Sequence, residues 1–227
     1  MGFIVRLAAV VSLLAFQVGE PFGAAASEPD CVRGTGIHDG YFYTSWRDTG
    51  SACMTLGDRG RYTVTWDLGG RGNMVVGKGW SAGSAGRRIG YRASSFEPGS
   101  NGYLTLYGWT TDPLVEYYVV DSWGADFTPP GEDAPVLDTV ESDGGTYRVY
   151  RTTRVEKPSI RGTATFDQYW SVRTSKREQG ADNTITFANH VAAWRAHGLE
   201  LGTMNYQVLA TEGFGSTGRS DVTVWQE

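Results

Sequence analysis

The stretch GYLTLYGWTTDPLVEYYVVD, residues 102–121, decides the fold, because apolar and aromatic residues alternate in it with a period of two. Successive side chains of a β-strand point to opposite faces, so each half of the stretch predicts one strand with two distinct faces. One face of each strand combines rings with polar groups: Tyr103, Thr105, Tyr107 and Trp109 in the first strand, and Leu114, Glu116, Tyr118 and Val120 in the second. Such a face is too polar for a dry core and too aromatic for an ordinary solvated surface.

The same alternation predicts eight further strands, at residues 41–46, 61–66, 73–77, 88–93, 145–153, 166–174, 204–212 and 219–225. Glycine-rich turn signals separate the strands, and among them Gly77-Lys78-Gly79 predicts a turn with a solvated Lys78. Residues 187–197 (FANHVAAWRAH) follow a helical period instead. With 31 Gly, 8 Trp and 12 Tyr, the sequence predicts an all-β fold, an antiparallel sandwich with one short helix packed on the outside.

The N-terminus predicts a secretory signal peptide over residues 1–26, followed by a single domain over residues 27–227. Arg6 precedes an apolar run, and Ala24-Ala25-Ala26 is a small-residue run suited to signal peptidase. No later apolar stretch is long enough to span a bilayer, so we expect a secreted protein that does not bind membranes. The formal charge of −5 argues against a nucleic-acid partner.

Cys31 and Cys53 are the only two cysteines of the sequence. In an oxidising compartment we expect them to form a structural disulfide that closes the N-terminal segment onto the second strand region. Two unpaired thiols on separate strands are the alternative, since the sequence does not give their separation.

Two glutamates, Glu116 and Glu212, stand in otherwise almost wholly apolar strands, where a lone charge is costly unless it is used or paired. Each has a structural alternative, an ion pair with an arginine such as Arg154 or Arg173. Their matching faces, set among tyrosines, favour chemistry instead. A carboxyl pair suits glycoside hydrolysis, because one group protonates the leaving oxygen while the other attacks or activates water.

Nine motifs in the same order resemble the glycoside hydrolase family 11 xylanases between about residues 36 and 225: YFYTSW, NMVVGKGW, YLTLYGW, PLVEYY, YRTTR, KPSI, FDQYWSVR, NHVAAW and YQVLATEG. The resemblance implies a β-jelly roll of two curved antiparallel sheets, a long cleft, and a retaining double displacement without metal or cofactor. It also implies xylan and xylo-oligosaccharides as substrates. We expect a monomer.

By their places in these motifs, Glu116 resembles the nucleophile and Glu212 the general acid/base. The residues that resemble substrate-binding groups are Trp46, Asn73, Tyr107, Tyr118, Arg154, Pro158, Ser159, Ile160, Gln168, Trp170 and Tyr206. Ordinary core or sheet packing is the alternative for each aromatic residue among them. Pro158, Ser159 and Ile160 resemble the tip of a mobile loop, the thumb, in which Arg161 and Asp167 predict an altered grip on acidic side groups of xylan.

Asn73 predicts the pH range of the reaction. In the resembled family this position lies beside the acid/base and is either Asn or Asp. An Asp would share a proton with Glu212 and favour acidic conditions, whereas Asn cannot ionise. The sequence therefore predicts an optimum nearer neutrality.

Two other functions fit part of the sequence. A carbohydrate-binding module or lectin-like sandwich would explain the aromatic groove but not the two glutamates, and a related jelly-roll hydrolase acting on cellulose would use the same pair. The histidines, His38, His190 and His197, do not combine with cysteines or carboxylates into a metal-site pattern. We expect His190, on the helix, to be a structural hydrogen-bonding residue.

Overall fold

The structure is a computed structural model that describes residues 1–2, 30–126, 130–131 and 133–227. The secretory signal predicted for residues 1–26 falls almost wholly on residues 3–29, outside the described residues, and stays a prediction. In the described ranges, no helix is long and apolar enough to cross a membrane.

Two β-sheets and one helix make up the described chain. In spatial order the large sheet contains β1 (Gly34–His38), β2 (Tyr41–Arg47), β5 (Asn73–Trp80), β13 (Thr203–Phe214), β7 (Gly102–Thr111), β8 (Val115–Trp123), β11 (Gly162–Arg173), β10 (Gly145–Ser159) and β9 (Asp138–Ser142). The small sheet contains β12 (Asp182–Thr186), β6 (Arg88–Glu97), β14 (Thr217–Gln226), β4 (Arg61–Asp67) and β3 (Ser51–Leu56). The helix α1 is Phe187–Ala196.

This architecture confirms the predicted all-β jelly roll with one short helix. Strand pairing is antiparallel with one exception among the described strands, because β11 pairs with β8 in parallel. In that pairing Gln168 stands opposite Glu116 and Trp170 opposite Tyr118. The parallel pairing thus sets the polar groups of two strands that are distant in sequence side by side on one face.

The two faces of the large sheet differ as the alternation predicts. Leu104, Leu106 and Tyr117 belong to a buried cluster that includes side chains of both sheets, so they face the core of the sandwich. Tyr107 and Tyr118 belong to a second cluster built only from residues of the large sheet and the loops around it. The second cluster lies on the opposite face, which is free for a cleft.

The helix packs on the core cluster through Phe187, Val191 and Trp194, as its period predicts. His190 is also buried there, but the prediction that it is a structural hydrogen-bonding residue is wrong. Neither ring nitrogen has a hydrogen-bond partner among the described residues, and the ring meets that of Tyr147 edge-on at 4.7 Å. Burial lowers the pKa of His190 to about 4, so the ring is neutral at physiological pH.

Lys78 is fully buried inside β5, and the predicted solvated turn is wrong. Its ammonium group donates to the carbonyl oxygens of Gly57 and Arg59. The flanking glycines serve close strand packing, because a Cβ at Gly77 would lie 2.4 Å from the carbonyl oxygen of Leu209. A Gly-Lys-Gly triplet therefore gives a false turn signal in this strand.

The predicted disulfide is confirmed: Cys31 is bonded to Cys53 in β3, with 4.8 Å between the Cα atoms. The next residue, Val32, continues this attachment by donating its backbone N–H to the carbonyl oxygen of Met54 at 2.9 Å. Its own carbonyl oxygen accepts a hydrogen bond from Ser45 Oγ, also at 2.9 Å. The N-terminal segment is thus held on both sheets.

We expect the double variant Cys31→Ser/Cys53→Ser to unfold with a free energy lower by about 3 kcal/mol, because the bridge closes a loop and restricts the unfolded chain. Guanidinium unfolding curves of the variant and of the native protein measure the difference. Dithiothreitol should destabilise the native protein similarly and leave the variant unchanged. Coincident curves without reductant would contradict the expectation.

Candidate active site

The outer face of the large sheet lines a cleft of about 900 Å³. Both glutamates and all eleven residues predicted to bind substrate lie along it: Trp46, Asn73, Tyr107, Glu116, Tyr118, Arg154, Pro158, Ser159, Ile160, Gln168, Trp170, Tyr206 and Glu212. They come from seven strands of the sheet and from the β10–β11 turn. The structure therefore brings the predicted residues together in one cleft.

Glu116 is buried at the floor of the cleft in β8, and each of its carboxyl oxygens accepts a short hydrogen bond. The Tyr107 hydroxyl donates to Oε1 and the Gln168 amide donates to Oε2, both at 2.6 Å. Burial raises the pKa of Glu116, and these hydrogen bonds, which favour the ionised form, oppose the rise. The carboxylate is consequently fixed in orientation and supported as an anion.

Further hydrogen bonds hold the two donors in place. Trp109 Nε1 donates to the Tyr107 hydroxyl at 2.7 Å, so the Tyr107 proton is directed at Glu116. Thr152 Oγ1 donates to Gln168 Oε1 at 3.0 Å, which leaves the Gln168 amide nitrogen facing the carboxylate. Trp170 Nε1 in turn donates to Thr152 Oγ1 at 3.2 Å. The orientation of Glu116 therefore depends on residues of three other strands, β7, β10 and β11.

Glu212, buried in β13, has a weaker set of donors than Glu116. The Asn73 amide donates to its Oε1 at 3.3 Å, and a hydrogen bond with Tyr103 also favours the ionised form. Burial, followed by the charge of Glu116, outweighs them and raises the pKa of Glu212 to about 8. At neutral pH the Glu212 carboxyl is therefore mostly protonated and able to donate a proton.

Aromatic rings form the walls of the cleft. The rings of Tyr118 and Trp170 stack on each other with centroids 3.7 Å apart and an angle of 5° between their planes. Trp46 is different, since 41% of its surface is exposed within the cleft. An exposed ring of this kind offers a flat surface on which the CH face of a sugar can stack.

The predicted thumb is a tight hairpin at the end of β10 and β11, and its tip lines the cleft. Its two unusual charges are both engaged within the protein. Arg161 forms an ion pair with Asp112 at 3.0 Å, and Asp167 forms one with Arg151 at 2.8 Å. The predicted effect of these charges on acidic side groups stays a prediction.

Sequence reasoning missed some cleft residues and placed one on the wrong face. Tyr103, Trp109 and Phe166 line the cleft, and the alternation had already put the first two on the face of Tyr107. Strict alternation through the strand predicted at residues 204–212 would put Met204 on the face of Glu212, but Met204 packs against the core cluster. The register of β13 against β7 shifts after Met204, and this bulge reverses the alternation.

A family model described as glycosyl hydrolases family 11 matches residues 38–223. The chain is 45% identical over 223 residues to "Ethylene-inducing xylanase 1" of Botryotinia fuckeliana (strain B05.10), a match that covers 98% of this chain and 76% of that protein. It is 51% identical over 192 residues to "Endo-1,4-beta-xylanase B" of Phanerodontia chrysosporium, covering 84% of this chain and 63% of that protein.

A third relative matches over nearly its whole length. "Probable endo-1,4-beta-xylanase B" of Aspergillus clavatus is 46% identical over 220 residues, which cover 96% of this chain and 95% of that protein. The family match and these identities extend over the strands that carry Glu116 and Glu212.

We expect Asn73→Asp to move the pH optimum of kcat/KM toward acid. Two carboxyls within hydrogen-bond reach share a proton and titrate as a pair, so the form that protonates a leaving group is populated only at lower pH. The pH dependence of xylan hydrolysis measures the shift. Asn189→Asp, on the helix, makes the same change away from the cleft and should leave the profile in place. An unmoved profile in Asn73→Asp would show the inference to be wrong.

Proposed function

This chain belongs to the glycosyl hydrolases of family 11, and from that membership we propose that it hydrolyses internal β-1,4-xylosidic bonds of xylan with retention of anomeric configuration. Glu116 acts as the nucleophile and Glu212 as the general acid/base. One observation supports this assignment above the others: two carboxyls are buried in one cleft, and Glu116 accepts two short hydrogen bonds while Glu212 has weaker donors.

The environment of Glu116 suits an attacking group. Two short hydrogen bonds, from Tyr107 and Gln168, aim its oxygens and support the anion. The environment of Glu212 suits a proton donor, because its pKa of about 8 keeps the carboxyl protonated at neutral pH. The reverse assignment would ask the carboxyl that Tyr107 and Gln168 support as an anion to donate the proton, and the carboxyl with weaker support to attack.

In the first step, Glu116 attacks the anomeric carbon while Glu212 transfers its proton to the departing glycosidic oxygen. The products are a covalent glycosyl ester on Glu116 and a shortened xylan chain that leaves. Forming the ester removes the negative charge of Glu116, which is the second cause of the raised pKa of Glu212. The carboxylate left on Glu212 is therefore no longer repelled.

In the second step, the Glu212 carboxylate takes a proton from water, and the oxygen of that water attacks the anomeric carbon. The ester bond breaks, Glu116 leaves as a carboxylate, and the product keeps its original configuration. The returning charge on Glu116 raises the pKa of Glu212 again. One neighbouring charge thus switches a single residue between acid and base.

We expect Glu116→Gln to reduce hydrolysis of xylan by roughly 10³-fold or more, because the amide cannot form the ester. It should also lower the pKa of Glu212, since the neighbouring charge is gone, and ¹³C NMR of labelled carboxyl groups measures that shift. Glu178→Gln makes the same chemical change on an exposed side chain outside the cleft and should alter neither quantity.

Two further measurements on the native protein separate the competing functions. ¹H NMR of the first sugar released should show the β-anomer, and an α-anomer would contradict retention. Xylan should be cleaved much faster than carboxymethyl-cellulose, and the opposite order would favour a cellulase. Binding of xylan without turnover in the native protein would contradict the enzyme assignment and favour a binding module.

We also propose that the chain is exported. The apolar run after Arg6 and the Cys31–Cys53 disulfide, a bond typical of oxidising compartments, support this. Mass spectrometry of the protein recovered from culture medium should give a chain beginning at Ser27. Retention of Met1 in a cell-bound protein would contradict export.

A further inference from the structure

A second, smaller pocket of about 210 Å³ adjoins the cleft at the exposed Trp46. It is lined by Arg33, Gly34, Ser45, Trp46, Arg47 and Ala52, and three of these residues, Gly34, Ser45 and Trp46, also line the cleft. The two cavities are thus adjacent and share part of their lining. A side group on a sugar stacked at Trp46 lies beside the smaller pocket.

The smaller pocket carries the positive charges of two arginines, Arg33 and Arg47. Among the described residues, neither Arg33 nor Arg47 forms an ion pair or a side-chain hydrogen bond, unlike Arg151 and Arg161 of the thumb. The carboxylate of Asp48, the residue after Arg47, accepts hydrogen bonds from the backbone N–H groups of Thr49 and Asn73 and forms no ion pair with Arg47 among the described residues. A guanidinium group presents a planar fork of donors that matches a carboxylate.

The position of Arg33 is fixed in advance by the residues before it. Cys31 is bonded to Cys53, and Val32 is hydrogen-bonded to Met54 and to Ser45. Arg47 is held as the last residue of β2, paired with Met74 of β5. The backbones of both arginines are therefore ordered before any ligand arrives, which lowers the entropic cost of binding.

We propose that the pocket of Arg33 and Arg47 binds the carboxylate of a uronic acid side group on xylan while the backbone sugar occupies the cleft at Trp46. The inference rests on the proposed function, which supplies the sugar backbone. That backbone is neutral and gives two guanidinium groups nothing to pair with. A uronic acid side group supplies the carboxylate that the two guanidinium groups can bind, whereas Glu116 and Glu212 at the centre of the cleft repel such a group.

The test compares linear xylohexaose with xylohexaose isomers that carry one glucuronic acid side group. We expect Arg33→Gln/Arg47→Gln to lower kcat/KM about tenfold for the isomer that the native enzyme cleaves best, and by less than about twofold for the linear substrate. Sodium chloride at 0.5 M should reduce the native preference in the same direction. The control, Arg71→Gln/Arg148→Gln, removes two charges outside both cavities and should preserve it.

Equal losses on both substrates, or no loss on either, would overturn the inference. Dissociation constants for the same oligosaccharides, measured by calorimetry in a Glu116→Gln background, keep the test independent of turnover. If the native protein cleaves neither oligosaccharide, the proposed function fails, and the ratio of these dissociation constants still decides the inference.

The disulfide gives a second test, because it positions Arg33 without touching the substrate. In Cys31→Ser/Cys53→Ser, assayed at 25 °C after circular dichroism has verified folding, the preference for the acidic isomer should fall while cleavage of linear xylohexaose persists. An unchanged preference would show that the bridge does not position the pocket.

Discussion

The strands at the centre of the large sheet contact the cleft with one face and the core with the other. Glu116 and Tyr117 are neighbours in the chain, yet one reaches a polar cleft and the other a dry core. This follows from the strand backbone, because successive side chains point to opposite faces of the sheet. A slip of one residue in the pairing of β8 would bury the carboxylate between the sheets and expose the tyrosine. The cleft and the core are therefore specified by one pattern, and neither can change without the other.

The proposed catalytic arrangement carries a cost in stability that depends on pH. In the folded chain the pKa of Glu212 is raised from its ordinary value of 4.5 to about 8, mainly by burial. Between these values the folded chain binds more protons at Glu212 than the unfolded chain does. The contribution of Glu212 to the free energy of unfolding consequently falls as the pH rises from about 4.5 to about 8. The core clusters and the hydrogen bonds around Glu116 offset this.

The alternation in the sequence predicted the long strands of the sheet and the face on which both glutamates lie. The prediction failed where one local sequence pattern is compatible with two structures. Gly77 and Gly79 look like turn residues but allow two strands to pack closely, and Lys78 between them is buried. The bulge after Met204 cannot be predicted from residue types, because it shifts the pairing register and needs no particular kind of residue. The pocket of Arg33 and Arg47 joins three strands, and only their spatial arrangement shows it.

Contacts between residues far apart in sequence govern when the cleft can exist during synthesis. Gln168 is 52 residues beyond the Glu116 that it orients, and Glu212 is 139 residues beyond Asn73. Contacts so distant in sequence form late, since the intervening chain must first be ordered. The assembled pair of carboxyls thus requires almost the whole polypeptide. A partly synthesised chain holds no complete cleft, so activity arises only once the last strands have docked.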